Sequence, residues 1–200
     1  MTLVNDVVRL GGWLFRQRTW LPLPLAAALL LIPSPNPPSA APFWMAGFAL
    51  VLAGESLRLW SVHHIGAISR TRSERLGPLV ATGPFRFVRN PLYLGNIGLW
   101  TGLTVTARLL WLAPVVIVLL ALEYHAIVRW EEELLAARLG DTYRRYIARV
   151  HRWLPTPAGA VPSASSGRAA FSWRQTLFSE RGTLIAIAVG YGLLLAKLQT

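Results

Sequence analysis

The stretch GPFRFVRNPLYLGNIG, residues 83–98, passes from a Gly-Pro turn through two arginines to an Asn-Pro step and an apolar run. Proline at the first position of a helix costs little, because the N–H it lacks would have no intrahelical partner there. Asn90-Pro91 therefore predicts that a helix begins at Pro91. The free backbone N–H groups at such an end favour a carboxylate or a phosphate.

A second polar cluster, EYHAIVRWEEELL, follows about forty residues later. Side chains of adjacent helical residues project about 100° apart, so Glu131 and Glu132 do not face one pocket equally. A run of glutamates usually forms a solvated face, but this run borders an apolar segment in a chain with 9 acidic residues. A carboxylate here would bind an ammonium group, while the helix N-terminus at Pro91 would bind a carboxylate. Together they match the amino-acid end of S-adenosylmethionine.

The elements that position these clusters are strongly apolar. Hydrophobic residues make up 54% of the chain and charged residues 14%, which excludes an ordinary soluble domain and predicts an all-α, polytopic membrane protein. The first of five candidate spans is short and contains Pro22 and Pro24, so a re-entrant segment remains an alternative there. The five segments are Trp20–Ile32, Phe43–Val62, Leu92–Ala107, Leu109–Val128 and Thr183–Lys197.

The formal net charge of +11 fits either nucleic-acid binding or cytoplasmic loops beside anionic lipid. The apolar segments favour lipid, so membrane lipids and no nucleic acid are the expected partners. The chain has no cysteine and therefore no thiolate nucleophile or thiolate metal site. No metal is expected, because the four histidines lack the spacing of metal ligands. They are His63, His64, His125 and His151.

Basic residues are unevenly distributed between the loops. Residues 33–42 carry no charge, whereas 63–91 and 129–181 are rich in arginine. Because positively charged loops stay in the cytoplasm, five spans predict a cytoplasmic N-terminus. The arginine-rich, alanine-rich composition is typical of a GC-rich bacterial genome and indicates the bacterial inner membrane. The predicted divisions are an interfacial amphipathic segment (1–19), a membrane core (20–154), a cytoplasmic linker with an interfacial segment (155–181), and a last transmembrane helix (182–200).

The third and fourth candidate spans are joined only by a few residues around Arg108. Such a short connection predicts a tight antiparallel hairpin. The cytoplasmic ends of the two helices then lie side by side, which brings the Asn-Pro step and the glutamate run to one place.

The segments LVATGPFRFVRNPLYLG and EEELLAARLGDTYRRYIARVHRWLP resemble the integral-membrane methyltransferases of the isoprenylcysteine carboxyl methyltransferase and phospholipid N-methyltransferase superfamily. The resemblance covers about residues 58–155. The chain departs from the family pattern at Asn90 in place of His, Leu139 in place of Phe and His151 in place of Pro. Asparagine keeps a hydrogen-bonding side chain but is not a base near neutral pH, so the resemblance assigns no catalytic base.

The resemblance implies a cofactor pocket at the cytoplasmic face that binds S-adenosylmethionine. It implies methyl transfer to a lipophilic, membrane-dissolved acceptor, a lipid amine, carboxylate or phenol, at the inner-leaflet boundary. Arg129 is the candidate for contacting that acceptor. The residues implied for the cofactor are Arg70, Leu79, Val80, Gly83, Phe85, Asn90, Pro91, Tyr93, Glu131 and Glu132.

Two alternatives remain open from the sequence. An NADPH-dependent membrane reductase of the sterol or steroid type has a similar Arg-His-Pro step, and Arg70, Arg72 and Arg75 would suit a 2′-phosphate. The glutamate pair and the downstream GDTYRRYIARV fit the methyltransferases better. A non-catalytic membrane scaffold is the second alternative.

Overall fold

A computed structural model of the chain describes residues 2–35, 39–66, 79–157 and 172–199. These residues fold into helices and turns, and no strand occurs among them, which confirms the all-α prediction. The helices are α1 (Thr2–Gln17), α2 (Pro22–Leu31), α3 (Ala41–Ile65), α4 (Pro91–Thr106), α5 (Leu112–Leu139), α6 (Asp141–Ile147) and α7 (Trp173–Gln199), with a 3₁₀ helix at Gly83–Arg86.

Three of the described helices, α3, α5 and α7, are long and apolar enough to cross a membrane. The first and third predicted spans correspond to α2 and α4, which are only 10 and 16 residues long. The architecture is thus a polytopic helical membrane fold, and the count of five spans stays a prediction. Helix α4 begins at Pro91, as predicted.

Helices α3 and α4 approach each other through glycines. A Cβ added at Gly54 would lie 2.6 Å from the backbone oxygen of Gly95, and one added at Gly102 would lie 2.6 Å from that of Gly47. Only a residue without a side chain permits this backbone contact, which dispersion forces then stabilise in the membrane. The Asn-Pro step at the start of α4 is therefore held rigidly beside α3.

Helix α1, predicted as an interfacial segment, packs along the second half of α5. A Cβ at Gly11 would lie 2.0 Å from the carbonyl oxygen of Ala126, and one at Gly12 would lie 2.9 Å from the indole nitrogen of Trp130. The Phe15 ring lies 4.8 Å from that of Trp130. The amphipathic segment is therefore part of the helical core.

At the end of the fold away from Glu131 and Glu132, the ends of α2 and α7 meet. Lys197 of α7 donates hydrogen bonds to the carbonyl oxygens of Leu29 and Ile32 at the end of α2, at 2.7 and 2.6 Å. The turn between α4 and α5 contains Arg108, whose φ of 62° permits a sharp reversal. This turn forms the predicted tight hairpin.

Helix α7 begins at Trp173, within the predicted linker and interfacial segment, and continues without a break to Gln199. The interfacial lead-in and the last predicted span are therefore one helix. Residues 158–171 of the predicted linker lie outside the described residues.

The α3–α4 contact predicts unequal effects of two glycine substitutions. Gly54→Ala should lower the free energy of unfolding by about 1–3 kcal/mol, because its methyl group collides with the α4 backbone. Gly192→Ala, where a Cβ meets no atom within 4 Å, should leave stability unchanged or raise it by about 0.5–1 kcal/mol. Thermal unfolding of the detergent-purified variants checks this, and equal effects would contradict the glycine contact.

Candidate active site

The turn before α4 depends on Gly83. Its φ of 55° is in the left-handed region, and a Cβ there would lie 2.2 Å from the imidazole of His64. Glycine is required here by backbone conformation and by lack of space. The predicted cofactor residue Gly83 thus shapes the turn and does not line the cavity described below.

The chain after α6 folds back onto this turn and closes it by hydrogen bonds. The N–H of Arg89 donates to the His151 carbonyl at 3.0 Å. The Asn90 side-chain amide donates to the Arg152 carbonyl at 3.1 Å, and the Tyr146 hydroxyl donates to the Phe85 carbonyl at 2.8 Å. These bonds join the first sequence cluster to residues 146–152, and the two predicted clusters themselves meet through the Arg89–Glu132 ion pair and the Tyr93–Glu131 hydrogen bond. Asn90 therefore contributes a backbone contact that needs no protonation.

The turn before α4, the segment after α6 and Glu132 of α5 meet at one junction. Glu132 lies at its centre, between two arginines. Its carboxylate pairs with Arg152 at 2.6 Å and with Arg89 at 3.0 Å. The hydrogen bond to Glu132 raises the pKa of Arg152. Burial raises the pKa of neighbouring Tyr143, which keeps its phenol neutral. Because two guanidinium groups already balance its charge, Glu132 holds the junction together.

Glu131 points in a different direction, as the 100° spacing requires. It accepts a hydrogen bond from the Tyr93 hydroxyl at 3.0 Å, and the Tyr93 ring stacks on Tyr124 at 4.7 Å. Within the described part of the chain, no arginine, lysine or histidine forms an ion pair with Glu131. Glu131 is therefore the carboxylate with capacity to bind a cation from outside the chain.

Both glutamates border one cavity of about 1260 Å³, larger than the roughly 300–1,000 Å³ typical of a small-molecule site. It has a polar end around the junction and an apolar arm between α2 and α5. The predicted cofactor residues at its polar end are Leu79, Val80, Phe85, Asn90, Pro91, Tyr93, Glu131 and Glu132.

Two other predicted site residues remain, Arg129 and Arg70. Arg129 is half-buried on α5 and does not line this cavity. Arg70 lies outside the described residues, as do Arg72 and Arg75 of the predicted basic group.

A group of polar side chains around Arg58, deeper in the fold, also borders the cavity. Arg58 pairs at 3.2 Å with Glu55, which lies one helical turn before it on α3. Sequence reasoning missed the remaining partners, which come from α4 and α7. Arg58 also contacts Asn96, Glu180 and Thr183.

The walls of the cavity include residues that sequence reasoning did not assign to a site. Phe15 and Arg18, at the end of α1, and Leu25 and Ala28, on α2, all line it. The amphipathic pattern of α1 was the available signal, but it does not reveal which surface the helix covers. Among the described residues, no group of three His, Asp or Glu side chains is arranged to hold a metal ion.

Comparisons with known proteins agree with these features. A family model described as phospholipid methyltransferase matches residues 43–142, half of the chain. The nickel-cobalt-cadmium resistance protein NccN of Alcaligenes xylosoxydans xylosoxydans is 30% identical over 111 residues. That alignment covers 56% of this chain and 47% of NccN, so the chain spans about half the length of this curated relative. No solved structure matches the chain.

The double ion pair predicts that Glu132→Gln is strongly destabilising. The substitution removes the charge that balances Arg89 and Arg152, which should cost about 3 kcal/mol of unfolding free energy. Glu133→Gln, at the exposed neighbouring position, is the matched control and should cost less than about 0.5 kcal/mol. Thermal unfolding in one detergent measures both, and similar stability would mean that the junction does not depend on Glu132.

Proposed function

Because the chain belongs to the phospholipid methyltransferase family, we propose that it transfers a methyl group from S-adenosylmethionine to a lipophilic acceptor dissolved in the membrane. One cavity carries this proposal. Glu131 borders this cavity and has no ion-pair partner among the described residues, and a long apolar arm extends from it. A charged, water-soluble cofactor and a lipid need such adjoining surfaces.

The residues at the polar end fit the cofactor. Glu131 would accept hydrogen bonds from the methionine ammonium group, and the Tyr93 hydroxyl holds its carboxylate in place at 3.0 Å. Leu79, Val80 and Phe85 supply an apolar surface for the adenine ring. When bound, S-adenosylmethionine supplies an electrophilic methyl group on its sulfonium.

The chain's contribution to such an in-line displacement is positioning and exclusion of water. An acceptor that is already an amine, a carboxylate or a phenolate needs little acid or base assistance. We therefore assign no catalytic base, in agreement with the absence of a protonatable side chain at Asn90.

The apolar arm fits the hydrocarbon part of an acceptor. Its lining on α5 extends from Leu112 through Val116 and Leu119 towards Glu131, about 28 Å at the helical rise and close to the roughly 30 Å of a bilayer hydrocarbon core. A chain lying along this arm would place its polar head at the glutamate. The acceptor class, a lipid amine, carboxylate or phenol, is part of the proposal.

We also propose that the protein lies in the bacterial inner membrane with the start of α4 and the glutamates of α5 facing the cytoplasm. The arginine-rich loops of the sequence favour this orientation. The hydrogen bonds of Lys197 are consistent with this orientation, because they place the end of α7 beside the end of α2, next to the uncharged loop that follows it. The cofactor would then enter from the cytosol and the acceptor from the bilayer.

Ligand binding tests the cofactor assignment. S-adenosylhomocysteine at 100 times its Kd should stabilise the purified protein by about 2.7 kcal/mol, whereas NADPH should give no comparable stabilisation. Glu131→Gln should weaken this binding about ten- to hundredfold, because it removes a charge-assisted hydrogen bond to the ammonium group. Calorimetric titration, with Glu133→Gln as control, measures this. Tight NADPH binding without binding of S-adenosylhomocysteine would instead favour a reductase.

A substitution in α2 tests the acceptor arm. Ala28→Trp would fill the arm and should reduce methyl incorporation from labelled S-adenosylmethionine into a membrane lipid extract about tenfold or more, with unchanged S-adenosylhomocysteine affinity. Ala27→Trp, on the exposed side of the same helix, should retain activity. Equal activity of the two variants would place the acceptor elsewhere.

A further inference from the structure

Arg18 occupies an unusual position between α1 and α2. Its guanidinium group lies over the Phe15 ring, 4.1 Å from the centroid, and Phe15 in turn packs against Trp130, the residue before Glu131. The side chain is half-buried and borders the same cavity as Glu131. Because Gly11 and Gly12 seat α1 directly on α5, this placement follows from helix packing.

The arginines that border the cavity differ in their partners. They are Arg18, Arg58 and Arg89. Arg58 is balanced by Glu55 and Glu180, and Arg89 by Glu132. Within the described ranges, Arg18 forms neither an ion pair nor a hydrogen bond. Its planar fork of N–H donors is therefore available to an anion, a carboxylate or phosphate being the best geometric match.

Arg18 and Glu131 thus present opposite charges to one cavity without forming an ion pair with each other. Such a pair is complementary to a zwitterion, whose ammonium group meets the carboxylate and whose carboxylate meets the guanidinium. An α-amino acid end has these two groups on one carbon atom, so both must be bound within a few ångströms.

We propose that Arg18 binds the carboxylate of the cofactor's methionine end while Glu131 binds its ammonium group. This inference rests on the proposed function and replaces the N-terminus of α4 as the expected carboxylate partner. Arg18 lies outside residues 43–142, the part that matches the family model. The anchor for the carboxylate is then supplied by the residue that directly follows the first helix of this chain.

Decarboxylated S-adenosylmethionine, which lacks only the carboxylate, provides a direct test by calorimetric titration. Wild-type protein should bind it about ten- to hundredfold more weakly than S-adenosylmethionine, as expected for one lost charge-assisted hydrogen bond. Arg18→Gln should weaken binding of S-adenosylmethionine by a similar factor and change binding of the decarboxylated ligand less than about threefold. Arg18→Lys should restore part of the lost affinity.

Arg16→Gln is the matched control, because it removes the same charge two residues away at an exposed position. It should leave both affinities within about twofold, and thermal unfolding should confirm that each variant is folded. If Arg18→Gln weakens both ligands equally, or neither, Arg18 does not bind the carboxylate and the inference is wrong. If wild-type protein binds neither ligand, the proposed function fails and this inference with it.

Discussion

The ion pairs of Glu132 with Arg89 and Arg152 are the interaction on which the arrangement of the site depends. A carboxylate removed from water needs a cationic partner, and here two arginines from separate parts of the chain supply it. One precedes α4 and the other follows α6, so the pairs hold three segments at one point. With Glu132 occupied in this way, its neighbour Glu131 is the cavity-lining glutamate that forms no ion pair among the described residues.

Close helix packing gives this junction a rigid support. Backbone contacts at Gly54 and Gly95 hold α4 against α3, and Gly11 seats α1 on α5. Arg58 connects α3 to α4 and α7 within the apolar region, where an ionised group is stable only with partners. The cavity is thus bordered by helices whose positions are determined by glycine contacts and buried charges.

The part of the chain that matches the family model contains the two glutamates and the Asn-Pro step, whereas α1, α2 and α7 lie outside it. These additional helices contribute Arg18, Ala28 and Glu180 to the cavity wall. Under the proposed function, the part that matches the family model would hold the ammonium end of the cofactor, whereas the flanking segments would hold its carboxylate and enclose the acceptor. Under the same proposal, specificity for the acceptor is expected to depend on α2, which lines the apolar arm.

Features governed by short-range rules were predictable from the sequence: the all-helical membrane fold, the helix start at Pro91 and the meeting of two motifs through a tight hairpin. Only the tertiary structure decided which of the two cavity-lining glutamates pairs with arginines, because that depends on the rotation of α5 about its axis. It also placed Gly83 against His64 and Arg129 away from the cavity. The contact between Arg58 and Glu180 joins residues 122 positions apart, and hydrophobic periodicity within one helix carries no information about a partner so distant in the chain.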